Sequence, residues 1–320
     1  MKVLVTGAAG FIGPHIVRRI LADGNLVRAY DDLSAGALHN LAPFIKTGAV
    51  EFIKGDIRDR DRLVEAAKNC EIIYHLAAQS SVPKSTEDPI SDMEINIGGT
   101  LNVLEAAKQS ESRVIFASSS VVYGKASRMP TPEEEKLEPW SFYGASKVAA
   151  EVYCRLYSEL FGVPTAILRL FNIYGPGTNK GVMIDLYRKL LRDPKRLELL
   201  GSGMQKKDYL YIDDAVEAFV LAAERSPCKG DAYNIGLGKS YTVFEIARMM
   251  VEELGLGNIE IFARGGTSWA GDIEVNLPSV IKAELEIGWK AKIELREGLI
   301  NTMKWFESQL GLIEGAKRLK

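Results

Sequence analysis

Tyr143 and Lys147 stand four residues apart in Tyr143-Gly144-Ala145-Ser146-Lys147, so a helical segment would carry the phenol and the ammonium on one face. A phenol has a pKa of about 10 in water and is a poor base at neutrality, but a neighbouring cation favours its ionised form. The pair is a candidate for taking a proton from a substrate hydroxyl. The spacing alone is common, and a surface pair is the plainer alternative. Ser118-Ser119-Ser120 adds a cluster of hydroxyls at the end of an expected strand. Any of the three could relay a proton or hold a substrate hydroxyl, with ordinary strand-end turn chemistry as the alternative.

A second constellation opens the chain. Gly7-Ala8-Ala9-Gly10-Phe11-Ile12-Gly13 follows the first apolar run directly and precedes a helical pattern. Glycines so placed permit a tight turn and a close approach of backbone to a pyrophosphate resting on the helix N-terminus. The spacing is G-x-x-G-x-x-G rather than G-x-G-x-x-G. Asp31 closes the second expected strand, where a carboxylate accepts hydrogen bonds from ribose hydroxyls and repels a 2′-phosphate. Asp32-Leu33-Ser34 brings no arginine for such a phosphate, so NAD is favoured over NADP. Asp56, in Gly55-Asp56-Ile57, could reach the adenine edge, although turn-forming aspartate is as common.

These residues need a scaffold, and the pattern supplies one. Lys2–Thr6, Leu26–Tyr30, Val50–Lys54, Glu71–Leu76, Arg113–Ser118 and Thr165–Leu170 read as strands, nearly continuously apolar as in a sheet covered on both faces. Helical patterns at Gly13–Ala22, Arg58–Ala67, Ile97–Lys108 and Tyr143–Phe161 alternate with them. This rhythm predicts an α/β fold with a doubly wound parallel (Rossmann) sheet. Beyond residue 171 the rhythm breaks at Gly175-Pro176-Gly177. Helices near Val182–Arg192, Val243–Leu254 and Leu295–Gln309 then suggest a smaller C-terminal α/β lobe, while Ile212–Glu224 and a strand at Ala232–Ile235 return to the sheet. The expected division is 1–171 plus 212–238 for the dinucleotide and 172–211 plus 239–320 for a substrate.

Composition narrows the chemistry further. The 320 residues suit about two domains. Forty Lys and Arg against 42 Asp and Glu argue against nucleic acid as a partner. Three cysteines and three histidines, with no C-x-x-C pair, fit neither a disulfide framework nor a metal site and leave acid–base work to something other than histidine. His75, inside an expected strand, reads as a packed core residue. No run of about 18 apolar residues and no leader-like N-terminus occur, so a cytoplasmic protein without a membrane partner is expected. Glu133-Glu134-Glu135 reads as a solvated loop.

The joint pattern resembles the nucleotide-sugar epimerase/dehydratase branch of the extended short-chain dehydrogenases/reductases, most closely its UDP-sugar 4-epimerases. It comprises Gly7–Gly13, Asp31, Gly55-Asp56-Ile57, Leu76-Ala77-Ala78, Asn96, Ser118-Ser119 with Tyr123-Gly124, and Tyr143-x-x-x-Lys147. It continues through Arg169–Gly177, Lys207-Asp208-Tyr209 and Trp269-Ala270-Gly271-Asp272.

The resemblance implies NAD-dependent inversion at C4 of a UDP-sugar (UDP-glucose and UDP-galactose, with N-acetyl derivatives as further candidates) through a transient 4-keto sugar. Tyr143 would be the base, Lys147 its tuner and a ligand of the nicotinamide ribose, and Ser119 the catalytic hydroxyl. Gly7, Gly10, Phe11, Ile12, Gly13, Asp31, Asp32, Asp56, Ile57, Leu76, Ala77, Ala78 and Asn96 would line the dinucleotide. Ser119, Ser120, Asn172, Lys207 and Asp272 would meet the substrate, Asn172 at its phosphates.

The branch's dehydratases carry an Asp-Glu pair after the catalytic hydroxyl. This chain has Ser120-Val121, which argues against elimination. Lys207 replaces the usual phosphate-gripping arginine and offers a point charge instead of a fork. Trp269 stands where a second phosphate arginine would be sought, with Arg264 a candidate to compensate. Asn276 falls near a position that is bulky in some epimerases restricted to glucose and galactose. The resemblance also implies a homodimer built from the Ile97–Lys108 and Val148–Leu160 helices. Two other functions fit less well: a net oxidoreductase or oxidative decarboxylase of a nucleotide sugar, and a non-enzymatic dinucleotide sensor.

Overall fold

The structure is a computed structural model and describes residues 1–265 and 273–318. In chain order its strands are β1 (Lys2–Thr6), β2 (Leu26–Asp31), β3 (Val50–Lys54), β4 (Ile72–His75), β5 (Arg113–Ser119), β6 (Thr165–Leu170), β7 (Ile173–Tyr174), β8 (Arg196–Leu199), β9 (Lys206–Asp208), β10 (Leu210–Tyr211), β11 (Lys229–Ile235), β12 (Ser240–Thr242), β13 (Glu260–Ala263) and β14 (Val275–Asn276). The helices are α1 (Gly13–Ala22), α2 (Ala42–Ile45), α3 (Arg60–Ala67), α4 (Val82–Glu87), α5 (Pro89–Met93), α6 (Gly99–Ser110), α7 (Phe142–Phe161), α8 (Val182–Arg192), α9 (Ile212–Arg225), α10 (Val243–Glu253), α11 (Ile281–Ile287) and α12 (Leu295–Arg318).

Seven parallel strands form one sheet in the order β3-β2-β1-β4-β5-β6-β11. Alternate residues of each strand feed opposite faces. Val3, Val5, Tyr74 and Ile115 pack into one apolar layer with α1 and α9, while Leu4, Ile73, Val114 and Phe116 pack into the other with α3, α6 and α7. Burial on both sides is why these runs lack polar alternation. Strand order reverses direction between β1 and β4, and a crevice at such a point, beyond the strands' carboxyl ends, is where open α/β sheets bind ligands. The tips of β1, β4 and β5 therefore frame the site.

The C-terminal lobe contains pieces that periodicity missed. β9 lies between antiparallel β12 and parallel β14, β8 pairs with β13, and β7 pairs with β10. These strands have two to four residues, and Lys206-Lys207-Asp208 is wholly polar, so no apolar alternation marks them. Buried Asp208 fastens the lobe to the end of β11 by accepting the Leu237, Gly238 and Lys239 N–H groups at 2.7, 2.7 and 3.1 Å.

The acidic run is a correction: Glu133 and Glu135 are not merely solvated. Glu133 accepts the Asn234 N–H at 2.9 Å, and buried Glu135 holds the Ser127 N–H, the Ser127 hydroxyl and Arg128. The chain there folds back over β11, so the carboxylates serve backbone that would otherwise lose its partners. The helix expected from Ile97 starts at Gly99 and is preceded by a π-helical turn, Glu94–Gly98.

Candidate active site

At the dinucleotide end, Gly7 has φ +68°, and a Cβ there would lie 2.7 Å from the Ala77 nitrogen and 2.9 Å from the Leu76 carbonyl carbon. The first turn thus presses directly on the Leu76–Ala78 segment, and only glycine permits both the angle and the approach. A Cβ on Gly13 would lie 2.5 Å from the Gly7 carbonyl oxygen, which closes the turn onto α1.

Asp31 is buried at the tip of β2, its carboxylate accepting the Ala9 N–H at 2.9 Å and the Leu33 N–H at 2.8 Å. Each oxygen retains a lone pair for a ribose hydroxyl. Burial raises its pKa, opposed by those two backbone donors. A bare backbone cradle at a helix start, with a buried carboxylate one strand away, fits NAD.

Other expected cofactor residues divide. Asp32 turns back on Ser34, accepting its N–H at 2.9 Å and its hydroxyl at 2.7 Å, and so serves its own turn. Asp56 is engaged by Arg58, whose Nη2 lies 2.6 Å away, and the pair holds its pKa below the ordinary carboxylate value. Arg58 is thereby tied down as well, although it stands close enough to feel the Asp32 charge. Ile57 is buried under Gly99, where a Cβ would meet its side chain at 2.3 Å.

Asn96 is buried on the π-helical turn with protein partners throughout. Its Oδ1 accepts the Gln79 N–H at 2.9 Å, and its Nδ2 lies 3.0 Å from the Gln79 carbonyl, Asp92 and Ser146. It anchors the loop after β4 to α7. Gln79, which sequence reasoning did not single out, completes that anchor by donating to Asp92 at 2.9 Å.

At the chemical end, α7 begins where the Ser141 hydroxyl accepts the Gly144 N–H at 3.0 Å, and it ends at Gly162 in the left-handed region. That cap seats Tyr143 and Lys147 in the first two turns, over the tip of β5. Ser119 stands beside the Tyr143 phenol and favours its ionised form, yet burial outweighs this and pushes the phenol up to about 12.

Lys147 is buried, donates to the Ala117 carbonyl at 3.0 Å and has its ammonium 5.9 Å from the Tyr143 ring centroid. Burial brings it down to about 8. Desolvation therefore dominates at Tyr143, with Ser119 favouring the phenolate and Asp92 opposing it. The three serines separate cleanly. Ser118 donates to Glu151, Ser119 meets Tyr143, and Ser120 accepts Asn276 Nδ2 at 3.1 Å. His75 is a core residue, pushed down to about 3 by burial.

On the substrate side, Asn172 donates to the Asp208 carbonyl at 2.7 Å, and Lys207 donates to the Ile273 carbonyl. Lys207 and Asn276 are register partners in β9 and β14, so both border the Ser120 end of the site. The Asn276 Oδ1 is buried without a hydrogen-bond partner among the described residues. Arg264 faces Glu198 at 3.7 Å on the surface. Trp269 and Asp272 lie outside the described residues.

Comparison with known proteins agrees with this geometry. Residues 3–236 match the NAD dependent epimerase/dehydratase family. The chain belongs to that family. A UDP-glucose 4-epimerase of Mycolicibacterium smegmatis is 34% identical over 315 residues, covering 97% of this chain and 99% of its own. A crystal structure of a UDP-galactose 4-epimerase is 37% identical, with a TM-score of 0.84 over 97% of this chain and 100% of its own. The UDP-N-acetylglucosamine 4-epimerase of Methanobrevibacter ruminantium, solved with UDP-N-acetylmuramic acid, is 32% identical, with a TM-score of 0.89 over 96% of this chain and 98% of its own. NAD dependence thus comes to this epimerase/dehydratase family member together with a loop that fits the dinucleotide.

Proposed function

We propose that this protein inverts C4 of a UDP-sugar through a transient 4-keto sugar, with Tyr143, Ser119 and Lys147 as its catalytic residues. The observation that carries the reading is the meeting of the Tyr143 hydroxyl with Ser119, and of Lys147 with the neighbouring Ala117, at the tip of β5. NAD, held by the Gly7–Gly13 turn and Asp31, would supply the hydride chemistry at C4. Tyr143 Oη takes the proton from the sugar O4 and gives it back, while Ser119 Oγ aligns that hydroxyl. Lys147 holds positive charge beneath the pair. With Ser120-Val121 next in the chain, no carboxylate stands there to expel water from C5–C6, which supports inversion over elimination.

Residues 1–171 plus 212–238 would then serve NAD, and 172–211 plus 239–320 the sugar nucleotide, with Asn172, Lys207 and Ser120 at the substrate. The unpartnered Asn276 Oδ1 favours a substrate that presents a donor there, such as a hydroxyl or an acetamido N–H. A homodimer is supported by apolar side chains left exposed on α7: Val152, Leu160 and Phe161. A cytoplasmic location is supported by three free, buried cysteines.

The test is incubation with UDP-galactose, UDP-glucose and their N-acetyl forms, read by chromatography alongside nicotinamide absorbance. Inversion without accumulating NADH is expected. Stoichiometric NADH or CO₂ would mark a net oxidoreductase or decarboxylase, and NAD binding without turnover a sensor. In Tyr143→Phe, turnover should fall at least about a hundredfold with NAD still bound, and retained turnover would end the assignment.

A further inference from the structure

Three consecutive residues at the tip of β5 each meet one residue on a single stripe of α7. The Ala117 carbonyl accepts from Lys147, the Ser118 hydroxyl donates to Glu151, and Ser119 stands beside the Tyr143 phenol. Positions 143, 147 and 151 fall at successive turns, so strand and helix are laced together residue by residue.

Glu151 is 4% exposed and is gripped by Arg169 of β6, whose Nη2 lies 2.8 Å from one carboxylate oxygen and whose Nε lies 3.1 and 3.2 Å from the two. Arg169 is the register partner of Ser118. Its Nη1 also donates to the Tyr123 hydroxyl and the Glu133 carbonyl, both at 2.8 Å. One buried ion pair therefore ties α7 to β5, β6 and the segments that follow β5. Such pairs contribute little net stability, because desolvation offsets much of their attraction, but removing one partner strands a buried charge.

We infer that Glu151 is a positioning residue for the Tyr143–Lys147 pair: with Ser118 and Arg169 it sets the register of α7 on β5 and places a compensated carboxylate one turn from the Lys147 ammonium. The inference rests on the catalytic roles proposed above for Tyr143 and Lys147. The groups acting on Lys147 are Asp92 from α5 and Glu151 and Cys154 from α7, all of which favour its charge against burial. His75 of β4, kept neutral by burial with a smaller push from Lys147, and the Phe116 and Tyr143 rings also face it.

Glu151→Gln preserves shape and removes the charge, leaving Arg169 uncompensated beside the pair. The expected result is a kcat lower by at least about tenfold with KM within about threefold, and an alkaline limb of the kcat profile moved down by about half a pH unit. A variant that only loses thermal stability, with kcat and pH profile superimposable on the parent, would overturn the inference. If Glu151→Gln does not fold, Ser118→Ala removes one thread of the lacing and should still lower kcat several-fold at unchanged KM; an unchanged kcat overturns it equally. Crystal structures of parent and variants read the Lys147–Ala117 contact without any substrate. That contact should lengthen or break, and its persistence in every variant would count against positioning. If the parent inverts no nucleotide sugar, the proposed function fails on its own while the crystallographic contact still decides the role of Glu151.

Discussion

Tyr143 and His75 show how burial acts on two groups of the same sheet end in opposite senses. The phenol is raised to about 12 because its anion loses solvent, so the chain by itself keeps Tyr143 protonated; positive charge beside the hydroxyl is what would release it. His75 is lowered to about 3 because its cation loses solvent. Its ring nitrogens lie 2.9 Å from the Thr6 hydroxyl and 3.0 Å from the Thr100 hydroxyl, and Thr100 in turn donates to the Asn96 carbonyl at 2.6 Å. A neutral imidazole donating from Nε2 to Thr100 satisfies that chain.

A stability prediction follows with a definite sign. The unfolded chain protonates His75 below pH of about 6.5 and the folded one does not, so the unfolded state binds the extra proton and stability falls as pH falls. Between pH 6.5 and 5 the loss should be about 2 kcal/mol, present in chemical denaturation of the parent and absent from His75→Gln. Equal slopes in the two proteins would show that the histidine is not buried neutral.

At the level of elements, the turn from β1 into α1 and the strand β9 each depend on one residue type. Gly7→Ala forces a side chain at φ +68° into backbone at 2.7 Å. NAD affinity should drop by more than about tenfold in titration calorimetry, since either the turn or the Leu76–Ala78 segment must move. Unaltered affinity would mean that the loop adapts at no cost. Asp208→Asn places an amide NH₂ against one of the three backbone donors its carboxylate now satisfies, with a loss of about 2 kcal/mol in denaturant unfolding. The principal elements were legible in the sequence because parallel strands covered on both faces leave continuous apolar runs. Thr165–Leu170 and Val182–Arg192 were read with their observed ends. The short strands of the C-terminal lobe were not, because their pairing is made by backbone from distant segments.

For the whole molecule, the outer face of α7 bears on assembly. Leu160 is 69% exposed and Val152 38%, on the helix whose inner face carries the proposed catalytic pair. If two chains pair through this face, Val152→Glu with Leu160→Glu should halve the sedimenting mass while leaving the monomer folded by circular dichroism. A parent that already sediments as one chain would remove the dimer. Among the described residues, no helix is long and apolar enough to cross a membrane.

The sequence by itself determined the α/β architecture, the glycine turn, Asp31 and the Tyr143–Lys147 spacing, because each depends on local periodicity or on residue types at fixed separations. Only the tertiary structure decided which of three adjacent serines meets Tyr143, that Asp32 and Asn96 serve protein partners, that two of three glutamates in an acidic run hold backbone, and that burial outweighs Ser119 at the phenol. Those outcomes depend on how far each group lies from water and from residues far away in the chain. Desolvation and long-range hydrogen bonds belong to the packed molecule, and no separation along the chain encodes them.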